Sequence, residues 1–313
     1  MADRTRYRLI AIGVAVAILL IAAGSWFLSY RDKKSHPVLT QENLPEKVVQ
    51  VIAGKPEVAL RTPIDVTVAP NGQIFVADAG NNGIQMFYPW GRPRGFFGSG
   101  KIGFTYPNTV VVDANGRLYV GEFASGQIRV FSPKGELRQT IDARTTGVPL
   151  QPLDLAIDAE GRLYVADRGG AIYVLNKKGE LLRQIRQVAA EPATFSYPNG
   201  IAVDEAGNVA VSDSGNRRVL LFGADGKFLK VIESGQMTHP RGISFWGKEL
   251  VLVADTFRNR LLAFDREGKL VKSIKAENEP SLSYSVLNGL TVSGDRVYVT
   301  DRTHNVVLVF GRD

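Results

Sequence analysis

Six carboxylates recur along this chain at nearly constant intervals: Asp78, Glu122, Asp167, Asp213, Asp255 and Asp301, spaced 44, 45, 46, 42 and 46 residues apart. Carboxylates gathered from separate segments are the raw material of a metal ring or of general acid–base chemistry. Each of these, however, closes a short apolar run (QIFVAD, RLYVGE, RLYVAD, NVAVSD, LVLVAD, RVYVTD) and precedes a polar loop. A short acid in that place accepts hydrogen bonds from neighbouring loop backbone. An acid present in every copy of a repeat is expected to build the copy, with Arg218 and Arg260 as its partners in two of them.

The three histidines offer little more. A catalytic zinc usually takes three protein ligands. His36 lies in an N-terminal segment, which leaves His239 and His304, on loops of one face, as candidate metal ligands. The absence of cysteine excludes a disulfide framework, a thiolate metal site, a Cys nucleophile and a lipoprotein anchor. No Ser-His-Asp ordering and no carboxylate pair stands apart from the repeat, so no catalytic residue is assigned and no cofactor is expected. The more informative positions are those where the copies disagree. At the start of each unit's first strand the pairs read Ile64-Asp65, Asn108-Thr109, Leu153-Asp154, Asn199-Gly200, Arg241-Gly242 and Asn288-Gly289. Asp65, Asn108, Asp154, Asn199, Arg241 and Asn288 are the candidate ligand-binding residues, since convergent polar groups in a concavity mark a binding site. The competing reading is that they hydrate a channel or cap strand ends. Tyr106, Tyr197 and Tyr284 flank the same rim.

The elements that must position these residues are short strands. Pro198–Lys227 (PNGIAVDEAGNVAVSDSGNRRVLLFGADGK) shows the plan: strand, Gly turn, strand, polar loop, strand, Gly turn. Its apolar runs are β-branched and bounded by Gly, Asn and Asp, which argues for strand over helix. Third strands end in Phe87, Phe131, Leu175, Phe222, Phe264 and Phe310, and turns such as PKGE, NKKGE, ADGK and REGK lead to a fourth strand. Six four-stranded units at this period specify an all-β fold, a six-bladed β-propeller over residues 47–313. The sixth unit ends at Asp313 without a fourth strand, while Val48–Ala53 precedes the first unit. The N-terminal strand is therefore expected to close the last blade and remove the exposed edges.

The formal charge of +7 is concentrated at one end: residues 1–34 hold six Lys/Arg against two Asp, and the remainder 32 basic against 29 acidic residues. That distribution argues against nucleic acid as the partner. Leu9–Leu28 is an uncharged run of 20 residues, about 30 Å as helix and so the depth of a bilayer core. It reads as an uncleaved signal anchor or transmembrane helix within residues 1–34. A cleaved signal peptide, with an apolar region of about 7–15 residues, is the rival. Lys and Arg flank both ends almost equally, and a short N-terminal tail before one span favours an extracytoplasmic propeller. Residues 35–46, polar with two prolines, read as a linker. Basic turns on the opposite face (Lys134, Lys177, Lys178, Lys227, Arg266, and Trp90 with Arg92 and Arg94) are interleaved with Glu136, Glu180, Asp225 and Glu267, the pattern of a solvated surface.

Phe97-Gly-Ser-Gly-Lys-Ile-Gly-Phe-Thr-Tyr-Pro107 followed by Asp113 and GRLYV, and Pro198-Asn-Gly-Ile-Ala-Val-Asp204 followed by Asp213, Asn216 and Arg218, resemble the NHL-repeat family. The resemblance covers residues 48–313 and all six units. It implies the propeller fold and leaves function open, for the family includes a zinc-dependent lyase acting on peptidyl-hydroxyglycine, RNA-binding domains, kinase sensors and membrane-anchored bacterial propellers. The last type matches the N-terminal run here. The full Asp, Asn, Arg pattern stands only in units four and five (Asp255, Asn259, Arg260); Gly83, Gln127 and Val306 replace the Arg elsewhere. The expectation is a membrane-tethered, single-pass propeller that binds a protein partner or a small extracytoplasmic ligand as scaffold or sensor. A lyase or hydrolase at the channel mouth is the alternative, and an RNA-binding domain the second.

Overall fold

Gly turns and β-branched runs fold as the sequence pattern predicts. In the turn after the first strand of the fourth repeat, Gly207 takes φ +82°, a conformation L side chains rarely adopt. Asp204 there accepts from the Ala206 and Asn208 N–H groups at 3.0 and 2.8 Å, closing the hairpin. The computed structural model describes residues 38–312 apart from 56, 99–102, 190–191, 234, 236 and 276–284. The expected span 9–28, His36 and Tyr284 lie outside the described residues. Among the described residues no helix is long and apolar enough to cross a membrane.

Six antiparallel four-stranded sheets form the propeller. Blade one is Pro63–Val68, Ile74–Asp78, Gly83–Phe87 and Pro93–Phe97; blade two is Pro107–Val112, Leu118–Glu122, Gln127–Phe131 and Leu137–Ile141. Blade three is Pro152–Ile157, Leu163–Asp167, Ala171–Leu175 and Leu181–Ile185; blade four is Pro198–Val203, Val209–Asp213, Arg218–Phe222 and Phe228–Glu233. Blade five is Pro240–Trp246, Leu250–Asp255, Arg260–Asp265 and Leu270–Lys275. Blade six takes Leu287–Ser293, Arg296–Asp301 and Val306–Gly311 from the C-terminal end and Lys47–Ile52 from the N-terminal end. The closing strand runs antiparallel to Val306–Gly311, with Val48 opposite Phe310 and Val51 opposite Leu308.

Second strands are buried on both faces, because each blade is covered by a neighbour on either side. Successive side chains therefore enter different interfaces, as period-two geometry requires: Val76 packs between blades six and one, Ala77 between one and two. Among the described residues the apolar core forms six clusters, one between each pair of adjacent blades.

The segment expected as a linker is only partly one. From Leu39 onward it belongs to the propeller's compact unit. Leu44 is fully buried in the cluster between blades five and six, with Leu39 packed against it. The Trp246 indole donates to the Thr40 carbonyl at 2.9 Å and to Asn43 Oδ1 at 3.2 Å, and Arg312 Nε donates to the Leu44 carbonyl at 3.1 Å. Two leucines among polar residues carry no periodicity, so composition alone reads this stretch as a tether.

Candidate functional site

The six strand-ending carboxylates are enclosed, and five of them grip the loop that leads into their own blade. Asp78 accepts from the Arg61 N–H at 2.7 Å, Glu122 from Thr105 at 2.6 Å, Asp167 from Gln151 at 2.5 Å, Asp213 from Ser196 at 2.6 Å and Asp255 from Thr238 at 3.0 Å. Asp301 instead accepts from the Thr303 N–H at 2.9 Å and meets His304 Nδ1 at 2.6 Å. The other carboxylate oxygen finds a different partner in different blades: Gln85 and Asn81 for Asp78, Arg129 for Glu122, Arg218 for Asp213, Arg260 for Asp255. Burial lifts Asp78 above the ordinary carboxylate range, against its hydrogen bonds and the nearby Arg61 charge. At Asp255 burial acts the same way but is outweighed by the Thr238 and His239 hydrogen bonds and Arg260, which bring it below that range. The grip also aims the rim. Immediately after Thr105 and Ser196, Tyr106 and Tyr197 sit at φ +57° and +52°. A bulky residue there, before proline, is a strained outlier held by its surroundings. Tyr197 stays 52% exposed at the channel mouth.

The six candidate positions fall into two layers. Strand register places Asp65, Thr109, Asp154 and Gly200 at one level, opposite Ala77, Gly121, Ala166 and Ser212. Asn108, Asn199, Arg241 and Asn288 lie one residue nearer the mouth and line its cavity. The two layers, together with Thr300 and Ser214, stitch every blade to the next. Asn288 Nδ2 and Thr300 Oγ1 donate to the Ile64 carbonyl at 2.7 and 2.9 Å, and Asp65 accepts from the Val110 N–H at 2.9 Å. Asn108 Nδ2 donates to the Leu153 carbonyl at 2.6 Å, and Asp154 accepts from the Ile201 N–H at 2.8 Å. Ser214 donates to the Pro240 carbonyl, and Arg241 to Asn288 Oδ1 at 2.5 Å.

Thr109 Oγ1 stands 3.0 Å from both Asp65 Oδ2 and Asp154 Oδ1. One hydroxyl proton serves only one of them, so the second contact is favourable when that carboxyl keeps its own proton. Burial raises Asp65 to about 6, and burial together with the Asp65 charge raises Asp154 well above the carboxylate range. Both pKa values lie above the unfolded value of about 3.9. The stability they contribute is therefore fully present below about pH 3.9 and is lost as pH rises through the folded values. The melting temperature of Asp154→Asn is expected to fall less steeply than wild type between pH 4 and 7. Parallel curves would show that the pair holds no extra proton.

Above this layer the channel opens into a cavity of ≈ 240 Å³ whose charged lining is Arg168, Arg241 and Arg302, with Asn199 and the aromatic walls Phe123 and Tyr197. Arg168 lies between the Phe123 and Tyr197 rings, 5.7 and 5.8 Å from their centroids. Burial, and then the charge of Arg302, pull Arg241 below the usual guanidinium range. Of these lining residues sequence reasoning named Arg241 and Asn199 and did not name Arg168 or Arg302. The signal was one residue past the aligned carboxylates, where the units read Ala79, Phe123, Arg168, Ser214, Thr256 and Arg302.

The two histidines each stay within their own blade: His239 packs on Phe257 with centroids 4.9 Å apart, and His304 is bound to Asp301. Among the described residues no group of three or more His, Cys, Asp or Glu is arranged to hold a metal ion. On the opposite face several basic side chains have acidic partners, Arg266 with Asp204 at 2.8 Å and Lys227 with Asp225 at 3.2 Å. Trp90 stacks on Tyr88 there, with centroids 4.9 Å apart.

Comparison with known proteins agrees with this architecture. Residues 60–87 and 195–222, within blades one and four, match the NHL repeat. NHL repeat-containing protein 3 of Homo sapiens is 33% identical over 92 residues, which is 25% of this chain and 26% of that protein, so the match spans about a quarter of the relative's length. Among solved structures, virginiamycin B lyase from Staphylococcus aureus superposes with a TM-score of 0.61 at 14% identity, covering 84% of this chain and 88% of that one. A chain of the nidogen/laminin complex superposes with a TM-score of 0.60 at 18% identity, covering 74% and 87%. At these identities the likeness is one of fold. The chain is a six-bladed β-propeller in which two stretches match the NHL repeat.

Proposed function

We propose that the chain is a membrane-tethered propeller that binds a protein partner or an extracytoplasmic ligand on its channel-mouth face, as a scaffold or sensor. The observation that carries this is the group of side chains around the mouth with no internal polar partner among the described residues. Among the described residues Arg168 and Arg302 make neither hydrogen bond nor ion pair through their guanidinium groups, while Tyr197 in the same lining is 52% exposed and Phe257, on the loop after the second strand of blade five, is 64% exposed. Exposed aromatics beside arginine are where protein interfaces concentrate affinity. The uncharged run 9–28 supports the tether, and the short tail before it supports a propeller outside the cytoplasm. A propeller of like fold occurs in the nidogen/laminin complex, which supports a protein partner.

Photo-cross-linkers at positions 197 and 257, in intact membranes, are expected to capture one and the same species. A cross-linker at position 227, on the opposite face, is expected to miss it. Capture from position 227 alone would refute the reading, and a topology reporter fused after Asp313 tests the orientation. The lyase of like fold, solved in a catalytically inactive form with quinupristin, favours an enzyme at this mouth as the second reading. Stoichiometric metal in purified protein, lost on His239→Ala or His304→Ala, would favour it.

A further inference from the structure

We infer that the channel mouth is a receptor for an organic carboxylate, held by Arg168, Arg241 and Arg302. This rests on the reading of the mouth as a binding face and names the chemistry of what enters it. The lining brings three guanidinium groups together, with Ile64, Leu153 and Phe123 as apolar wall and, among the described residues, no carboxylate. Like charges in a concave, partly desolvated site oppose one another, and an entering anion removes that cost. Arg241 carries a second cost. Its Nε is buried without a hydrogen-bond partner, although its other arm donates to Asn288. A buried donor left unpaired is unfavourable, and a carboxylate oxygen is the acceptor that suits a guanidinium fork. Arg168 is already fixed between two aromatic rings, so little side-chain freedom is lost when it binds. The cavity of ≈ 240 Å³ is smaller than the roughly 300–1,000 Å³ of drug-sized sites. It therefore takes a small acid or a single acidic side chain of a protein partner. The apolar wall favours an organic acid over inorganic phosphate.

The test is calorimetric titration of the purified full chain with benzoate, benzamide, inorganic phosphate, a Glu-bearing peptide and its Gln counterpart. Benzoate or the Glu peptide is expected to bind at least tenfold more tightly than its neutral counterpart and than phosphate. Arg168→Gln and Arg302→Gln, each melting as wild type does, are expected to weaken that binding at least tenfold. Binding of benzoate identifies a free acid as the ligand source; binding of the Glu peptide alone identifies a partner's side chain. Equal binding of acid and amide, phosphate bound as tightly as either acid, unchanged affinity in both Arg variants, or no binding by either acid would each overturn the inference. If acid and amide bind equally and Tyr197→Ala weakens both, the anion inference fails while the mouth stands as the binding face.

Discussion

Deleting Lys47–Ile52 is expected to cost the propeller most of its stability, with a melting temperature lowered by well over 10 °C or no cooperative transition at all. The strand supplies Val48 and Ile52 to two different inter-blade clusters, at 4% and 1% exposure. Burial of each side chain is worth about 1.5–3 kcal/mol. Its loss also exposes the backbone edge of Val306–Gly311, which pairs with it from Lys47↔Gly311 to Ile52↔Val307. An uncovered edge strand of apolar sequence invites association between chains. Against the roughly 5–15 kcal/mol that holds a typical domain together, these two side chains alone remove about 3–6 kcal/mol, before the lost ladder hydrogen bonds are counted. The upstream segment is expected to contribute as well. Leu44→Ala, in a fully buried site against Trp246, costs about 2–5 kcal/mol by the usual range for core leucines. Denaturation curves of the deletion, of Leu44→Ala and of wild type measure both, and a deletion that unfolds at the wild-type temperature would show that the ring is held without its N-terminal strand.

The repeat made the blades legible, since six copies of one strand pattern leave little freedom in architecture. Closure was legible for a related reason: one blade lacked a strand and the other end of the chain had one to spare. The mouth was harder to read. Asp65 and Asp154 attract attention as acids at varying positions, yet they occupy the layer below the mouth, where their oxygens are taken by backbone N–H groups of the next blade. Pattern alone does not separate two adjacent positions of a strand that point to different levels. Arg168 and Arg302 escaped because each stands at the first loop position after the strand, where the six units share no residue type and no period marks the side chain. Leu44 escaped because burial there depends on Trp246, two hundred residues away in sequence.

The same logic explains how the carboxylate is kept satisfied where the repeat loses its arginine. Blade four pairs Asp213 with Arg218, both fully buried, Nε to Oδ2 at 2.9 Å. Blade one has Gly83 opposite Asp78, and Gln85, two residues on, donates to that acid at 2.8 Å. Blade two has Gln127 opposite Glu122, and Arg129, again two residues on, takes the partner's place. Two sites on the third strand are thus interchangeable sources of one donor.

Asp213→Ala is accordingly expected to be among the most destabilising single substitutions in the chain, by about 3–5 kcal/mol, because it strands a guanidinium that is fully buried. The stranded group would keep carbonyl contacts to Pro192 and Thr194, but its NH1 already lacks a partner. The Ser196 N–H, held at 2.6 Å, would lose its acceptor too, and with it the anchor of the strained Tyr197. Arg218→Leu is expected to cost less, since Asp213 retains Ser196 and Asn216, the latter at 2.8 Å. Rebuilding blade one's arrangement in blade four, as Arg218→Gly with Leu220→Gln, should recover part of what Arg218→Gly alone loses. In that variant the amide would reach Asp213 from the position Gln85 occupies. Chemical denaturation of these variants gives the ordering directly. If Asp213→Ala proves milder than Arg218→Leu, the acid is not what the blade is built around. If the double variant is no more stable than Arg218→Gly, the two donor sites are not equivalent.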